Sequence, residues 1–82
     1  MKFIYSPESK RFGQWLKQQR KAKGLTMRQV GHMINKPHSF VAKIEDGQRR
    51  LDVIEYVWYC ERLGIDAHTG LDQIQSNSFK AN

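Results

Sequence analysis

The sequence predicts an all-α domain of four or five short helices, and three observations carry that expectation. Apolar residues recur at i, i+3 and i+4 through most of the chain, the spacing of one face of a helix. Residues that open helices, namely Ser6-Pro7, Thr26 with Gln29, and Asp52 with Glu55, stand just before such stretches. Residues that stop helices, Gly24, Asn35, Gly47 and Gly64, stand just after them. Strand-like alternation is confined to Met1–Tyr5, a short aromatic-rich piece that reads either as a strand or as an ordered arm.

The first helix opens at Ser6 as N-cap, with Pro7 in the first helical position and Glu8 in the first turn, where a negative charge suits the helix dipole. It runs to about Lys23, burying Phe12, Trp15, Leu16 and Ala22, and Gly24 ends it. Thr26 and Gln29 form a capping box for a second helix with Val30, Met33 and Ile34 on its apolar face and Asn35 as a left-handed stop. Pro37 suits the first turn of a third helix, in which Phe40, Val41 and Ile44 are spaced for partial burial and which ends near Glu45-Asp46-Gly47. Asp52 and Glu55 open a fourth helix reaching Leu63, with Val53, Ile54, Val57, Trp58 and Cys60 as its core face. A fifth helix spans about Ala67 to Ile74, although His68 and Gly70 are poor interior residues. Gln75–Asn82 is polar and expected to fray.

Composition narrows the function classes. The chain has 82 residues and room for one small core. A domain of this size buries only roughly 60–65% of its unfolded surface, so it gains from a partner subunit. One cysteine, Cys60, excludes an intramolecular disulfide and a cysteine-built zinc site. No apolar run approaches the ~18 residues of a membrane span, so a reduced, cytoplasmic setting is expected. The net charge of +6 is unevenly placed. Lys10–Arg50 holds eleven basic residues against Glu45 and Asp46, whereas Leu51–Asn82 holds two against five acids. That division points to one side facing a polyanion and another facing something else. His32 and His68 are isolated, and no Ser/His/Asp or Cys/His set has a catalytic context, so neither a metal, a cofactor nor enzyme activity is expected.

The informative piece is the helix pair from Thr26 to Ile44. Gly31 lies mid-helix, where glycine costs about 1 kcal/mol relative to alanine, a cost that makes sense if another backbone packs there. The next helix then offers His38, Ser39, Ala42 and Lys43 to solvent with Phe40 at the edge, and Lys36–Ile44 contains no acid to repel phosphate. From Leu16 to Leu63 the chain resembles the Cro/cI-type (Xre-like) helix-turn-helix family of bacterial and phage regulators. The resemblance rests on the combined register of Leu16, Arg20, Gly24-Leu25-Thr26, Val30-Gly31, Ile34, Ser39, Val41, Lys43-Ile44-Glu45, Gly47, Arg49 and Leu63-Gly64.

The resemblance implies a five-helix, lambda-repressor-like DNA-binding domain with a short N-terminal arm. Residues 1–9 would form the arm and helix start, 10–74 the helix-turn-helix domain, and 75–82 a flexible tail. It places His38, Ser39 and Lys43 at base-contacting positions of the recognition helix, with Phe40 beside them, either meeting a thymine methyl or packed in the core. Thr26, Lys36, Gln48, Arg49 and Arg50 match positions that face the DNA backbone and set register. Met27 stands where the family usually has a backbone-touching glutamine, and Gly31 replaces a more usual alanine. Arg20 and Glu45 match a buried pair tying the first helix to the end of the recognition helix.

One recognition helix reads only a few base pairs, and family members answer this with two-fold dimers on half-sites about 34 Å apart. The resemblance therefore implies a homodimeric transcriptional regulator, a repressor on a palindromic operator. The C-terminal helices, with Tyr56, Trp58, Tyr59 and Leu71, are the expected dimer contact, and the arm Lys2–Tyr5 is its rival. Two other readings stay open: an antitoxin or restriction–modification controller of the same fold, and a helix-turn-helix that binds protein and no DNA.

Overall fold

The computed structural model describes residues 6–75. Five helices follow in order: α1 (Pro7–Ala22), α2 (Met27–Ile34), α3 (His38–Glu45), α4 (Val53–Leu63) and α5 (Ala67–Ile74), and no strand occurs among the described residues. The arm Met1–Tyr5 and residues 76–82 of the expected tail lie outside the described residues.

Local chemistry sets the helix ends. The Ser9 N–H donates to Ser6 Oγ at 3.1 Å, capping α1. In α2 the Gln29 N–H donates to Thr26 Oγ1 at 3.1 Å while the Thr26 N–H donates to Gln29 Oε1 at 2.8 Å. In α4 the same box joins Asp52 and Glu55, at 2.8 and 3.0 Å. Asn35 and Gly64 stop α2 and α4 in the left-handed conformation, with φ of 59° and 70°. Pro37 stands at the N-cap of α3, one position before the first turn where its ring was expected, and no side chain caps that helix. α5 has a cap the sequence reading passed over: the Asp66 carboxylate accepts from the His68 N–H at 2.9 Å and the Thr69 hydroxyl at 3.1 Å. Gly70 is a packing residue in this helix, since a Cβ there would lie 2.6 Å from the Trp15 ring.

One core joins all but the last helix through buried side chains: Trp15 and Leu16 from α1, Val30 and Ile34 from α2, Val41 and Ile44 from α3, and Tyr56, Tyr59, Cys60 and Leu63 from α4. Two expectations are corrected here. Ala22 is exposed, because α1 has passed the core by its last turn. In α4 the inward face is Tyr56, Tyr59, Cys60 and Leu63, spaced i, i+3, i+4 and i+7, whereas Val53, Ile54 and Val57 face solvent and Trp58 is half-buried under the Arg62 guanidinium. The helix carries apolar groups on both sides, so period alone cannot choose between them. Both tyrosines turn inward, and Tyr56 does so with its polar end accommodated. The Tyr56 hydroxyl donates to the Ala67 carbonyl, and Tyr59 is only 2% exposed. Burial also holds the Tyr59 phenol above its ordinary range and pushes the Cys60 thiol up, keeping both groups neutral.

Candidate nucleic-acid interface

The α3 helix is mounted by backbone as much as by side chains. Val41 and Ile44 enter the core, and α1 crosses the end of α3 at Gly13. A Cβ on Gly13 would lie 2.5 Å from the Glu45 carbonyl oxygen and 2.7 Å from that of Ile44, so only glycine permits this approach. At the other end, a Cβ on Gly31 would lie 2.6 Å from the Lys36 carbonyl oxygen and 3.3 Å from the His38 nitrogen. The turn between α2 and α3 folds directly over that glycine. The Lys36 N–H donates to the Gly31 carbonyl at 2.9 Å and closes the turn.

The structure brings Arg20 and Glu45 together as a two-pronged pair within the core. Nε of Arg20 donates to Oε2 of Glu45 at 2.7 Å and one terminal nitrogen donates to Oε1 at 3.0 Å, while the other terminal nitrogen donates to the Leu25 carbonyl at 2.9 Å. The hydrogen bond to Glu45 raises the Arg20 guanidinium above its usual range, which keeps that buried group charged. Among the described residues no buried side-chain nitrogen or oxygen lacks a partner. α3 is thus fixed to α1 by a buried, two-pronged ion pair.

The outer face of α3 is free by contrast. His38, Ser39 and Lys43 are exposed, and the one acid of the helix, Glu45, is buried. Around this face the structure places Thr26 at the N-cap of α2, Lys36 exposed in the turn, and Gln48 and Arg50 exposed beyond α3. Gln48 donates to the Asp46 carboxylate. Met27, by contrast, is half-buried and packs against the core. Phe40 is also half-buried against the core, with Lys36 Nζ 5.3 Å and the Arg49 guanidinium 4.6 Å from its ring centre. Arg49 also donates to the Arg50 carbonyl at 2.6 Å and lies 3.4 Å from the Glu55 carboxylate on α4. Arg28, which sequence reasoning counted as a charge but gave no role, lines a shallow concavity with His32, Asn35, Lys36 and His38. Its position two residues after the Thr26 cap was the available signal. Gly13 gave no comparable signal, because the backbone it meets is 31 or 32 residues away.

These are the parts of a helix-turn-helix: a pair of short packed helices, a tight turn over a glycine, and a second helix anchored in the core with an acid-free polar face outward. A family model described as Helix-turn-helix (HTH_3) matches residues 16–67. The chain belongs to the HTH_3 helix-turn-helix family. It is therefore a DNA-binding transcription regulator. No curated protein matches the sequence. Among solved structures, the helix-turn-helix chain is similar to the restriction-modification controller protein C.AhdI from Aeromonas hydrophila, with 26% identity and a TM-score of 0.74 over 79% of this chain and 98% of that one. It is also similar in fold to the clp gene regulator ClgR from C. glutamicum, with 19% identity and a TM-score of 0.76 over 92% of this chain and 96% of that one.

Proposed function

We propose that this helix-turn-helix protein is a sequence-specific repressor that binds a palindromic operator as a homodimer. The carrying observation is the outer face of α3, where His38, Ser39 and Lys43 are exposed and, among the described residues, free of side-chain hydrogen bonds, on a helix that Gly13, Gly31 and the Arg20–Glu45 pair hold in place. In this reading the three side chains enter the major groove and discriminate base edges. Thr26, Lys36, Gln48, Arg49 and Arg50 meet phosphates and set the register, and the basic first half supplies salt-dependent affinity. Met27, half-buried, adds an apolar contact beside the backbone in place of a hydrogen bond. The protein acts by occupancy, without catalysis, in the cytoplasm where its DNA lies.

The homodimer reading draws on α4 and α5. Tyr56 and Tyr59 are spent in the core, so they leave the expected contact, and the exposed residues Val53, Ile54, Val57, Leu71 and Ile74 take their place. Val53, Leu71 and Ile74 line one groove, and Ile54 and Val57 extend the apolar surface along α4. Self-pairing of this surface would remove it from water and set two recognition helices on one side of a duplex.

Selection from random duplexes at about 50 and 200 mM salt tests the reading. A two-fold symmetric motif that survives high salt supports it. Binding that collapses with salt and selects no motif leaves only a non-specific binder, and no binding at all favours a protein-interaction module. A second reading, control of a restriction–modification system, is favoured by the likeness to C.AhdI across almost all of that chain. Restriction and methyltransferase genes beside the coding sequence, with the selected motif upstream of them, would decide for it.

A further inference from the structure

The aromatic ring of Phe40 does something the polar readers around it do not. We infer that Phe40 is a positioning residue, whose ring fixes Lys36 and Arg49 where they meet the DNA backbone; this rests on the DNA-binding reading above. The two cations come from opposite ends of α3, one in the turn before it and one beyond its last residue, and both sit over the same ring, at 5.3 and 4.6 Å from its centre. The ring is half-buried and packed against the core, so it is a fixed platform. An ammonium or guanidinium over an aromatic face is attracted to the electron-rich surface. The ring supports the Arg49 guanidinium from one side, while its N–H groups are turned to the Arg50 carbonyl and to the Glu55 carboxylate at 3.4 Å, the two-pronged edge that also bonds phosphate oxygens in pairs.

Long side chains lose rotamer freedom when a complex forms, and a side chain already held loses less. Lys36 has the ring as its one support among its side-chain contacts within the described residues. Arg49 has three supports: the ring, the Arg50 carbonyl at 2.6 Å, and the Glu55 carboxylate at the long distance of 3.4 Å, which a phosphate can replace. Phe40 therefore raises affinity for every sequence alike, acting through its two neighbours without touching the DNA itself.

The test compares wild type, Phe40→Leu, Phe40→Trp, Arg49→Ala and the double variant Phe40→Leu/Arg49→Ala on the duplex selected above and on an unrelated one, over 50–200 mM salt. Phe40→Leu is expected to weaken binding to both duplexes roughly three- to tenfold and to reduce the salt slope by about one, the share of one phosphate contact. Phe40→Trp should restore both, since indole is the better platform. The double variant should lose less than the two single losses combined. A change of preference at one base pair with an unchanged slope would make Phe40 a reader of a thymine methyl and overturn the inference. A fall in Tm and affinity with the slope unchanged and no rescue by tryptophan would overturn it in favour of a core role. If Phe40→Leu fails to fold, the wild-type protein still decides. The Arg49 side-chain resonances should carry the upfield shift of a group stacked on a ring, and their absence overturns the platform. Failure of wild type to bind any duplex removes the DNA reading itself, a result distinct from wild-type binding with an indifferent Phe40→Leu.

Discussion

The α3 and α4 helices are built from similar apolar material and end up in opposite situations. In α3 the apolar residues Val41 and Ile44 share one face and are buried, Phe40 and Ala42 are half-buried, and the fully exposed residues His38, Ser39 and Lys43 are polar. In α4 apolar side chains surround the helix, and Ile54, 75% exposed, is as hydrophobic as the buried Ile44. A narrow apolar stripe has one way to be buried; an apolar girdle has several, and packing partners choose among them. The exposed face of α3 is a polar surface that water satisfies. That of α4 is apolar, and keeping it in water costs free energy in proportion to its area.

The contrast is sharpest if the same change is made on both helices and on what joins them. The largest effect is expected at the anchor of α3. Glu45→Ala leaves the Arg20 guanidinium buried without its partner and should lower stability by about 3–5 kcal/mol in denaturant unfolding. Next comes a matched pair of truncations. Ile44→Ala should cost about 2–5 kcal/mol through the cavity it leaves, while Ile54→Ala should change the stability of the dilute chain by no more than about 0.5 kcal/mol. Equal losses would mean that the exposed face of α4 is not exposed in solution. Lys43→Ala should cost on the order of 1–3 kcal/mol of binding and relax preference at one base pair, read by repeating the duplex selection; a loss equal for all sequences would remove Lys43 from the base-reading set.

Two smaller effects follow at the junction and in the core of α4. Glu55→Gln preserves the capping box, as Gln29 does in α2, and removes the carboxylate beside Arg49. Binding should tighten on all duplexes by roughly 0.5–1 kcal/mol, about the worth of an exposed ion pair. The last effect concerns alkali. Burial keeps the Tyr59 phenol protonated above its ordinary value of 10.0, whereas the unfolded chain ionises there. The folded state then holds the more protons, so stability is constant below about pH 9 and falls as pH rises past 10, by at most about 1.4 kcal/mol per pH unit for this group. Chemical denaturation at pH 8 and 11 measures it, and Tyr59→Phe should flatten the fall.

Most of the fold was legible because its signals are local. The capping residues Ser6, Thr26 and Asp52 and the stops Asn35 and Gly64 act within a few residues of where they stand, and each helix they bound is present. Gly31 was legible for a related reason: the backbone that needs its space is that of Lys36, five residues on. What escaped depends on distant packing. The inward turn of Tyr56 and Tyr59 is settled by α2 and α5, and the glycine at position 13 is explained only by the end of α3 lying across it. The placement of Phe40 between core and cations likewise requires knowing that Arg49 folds back over α3. At the site, residue type and register marked the exposed positions of α3, while the arrangement that orders the flanking cations is a property of the assembled surface.

The close approach at Gly13 has a consequence for how such a protein changes over time. Because α1 meets α3 through main-chain atoms, and the turn meets Gly31 in the same way, the pose of α3 does not depend on the side chains at positions 38, 39 and 43. Among the described residues, no hydrogen bond or ion pair that holds the fold involves the side chains of His38, Ser39 or Lys43. Substitutions at these three positions can accumulate with little loss of stability, so new target preferences are open to drift and selection one residue at a time. The same separation makes the domain a suitable starting point for retargeting by library: randomise three positions, leave the two glycines alone, and the scaffold should tolerate most of what is tried.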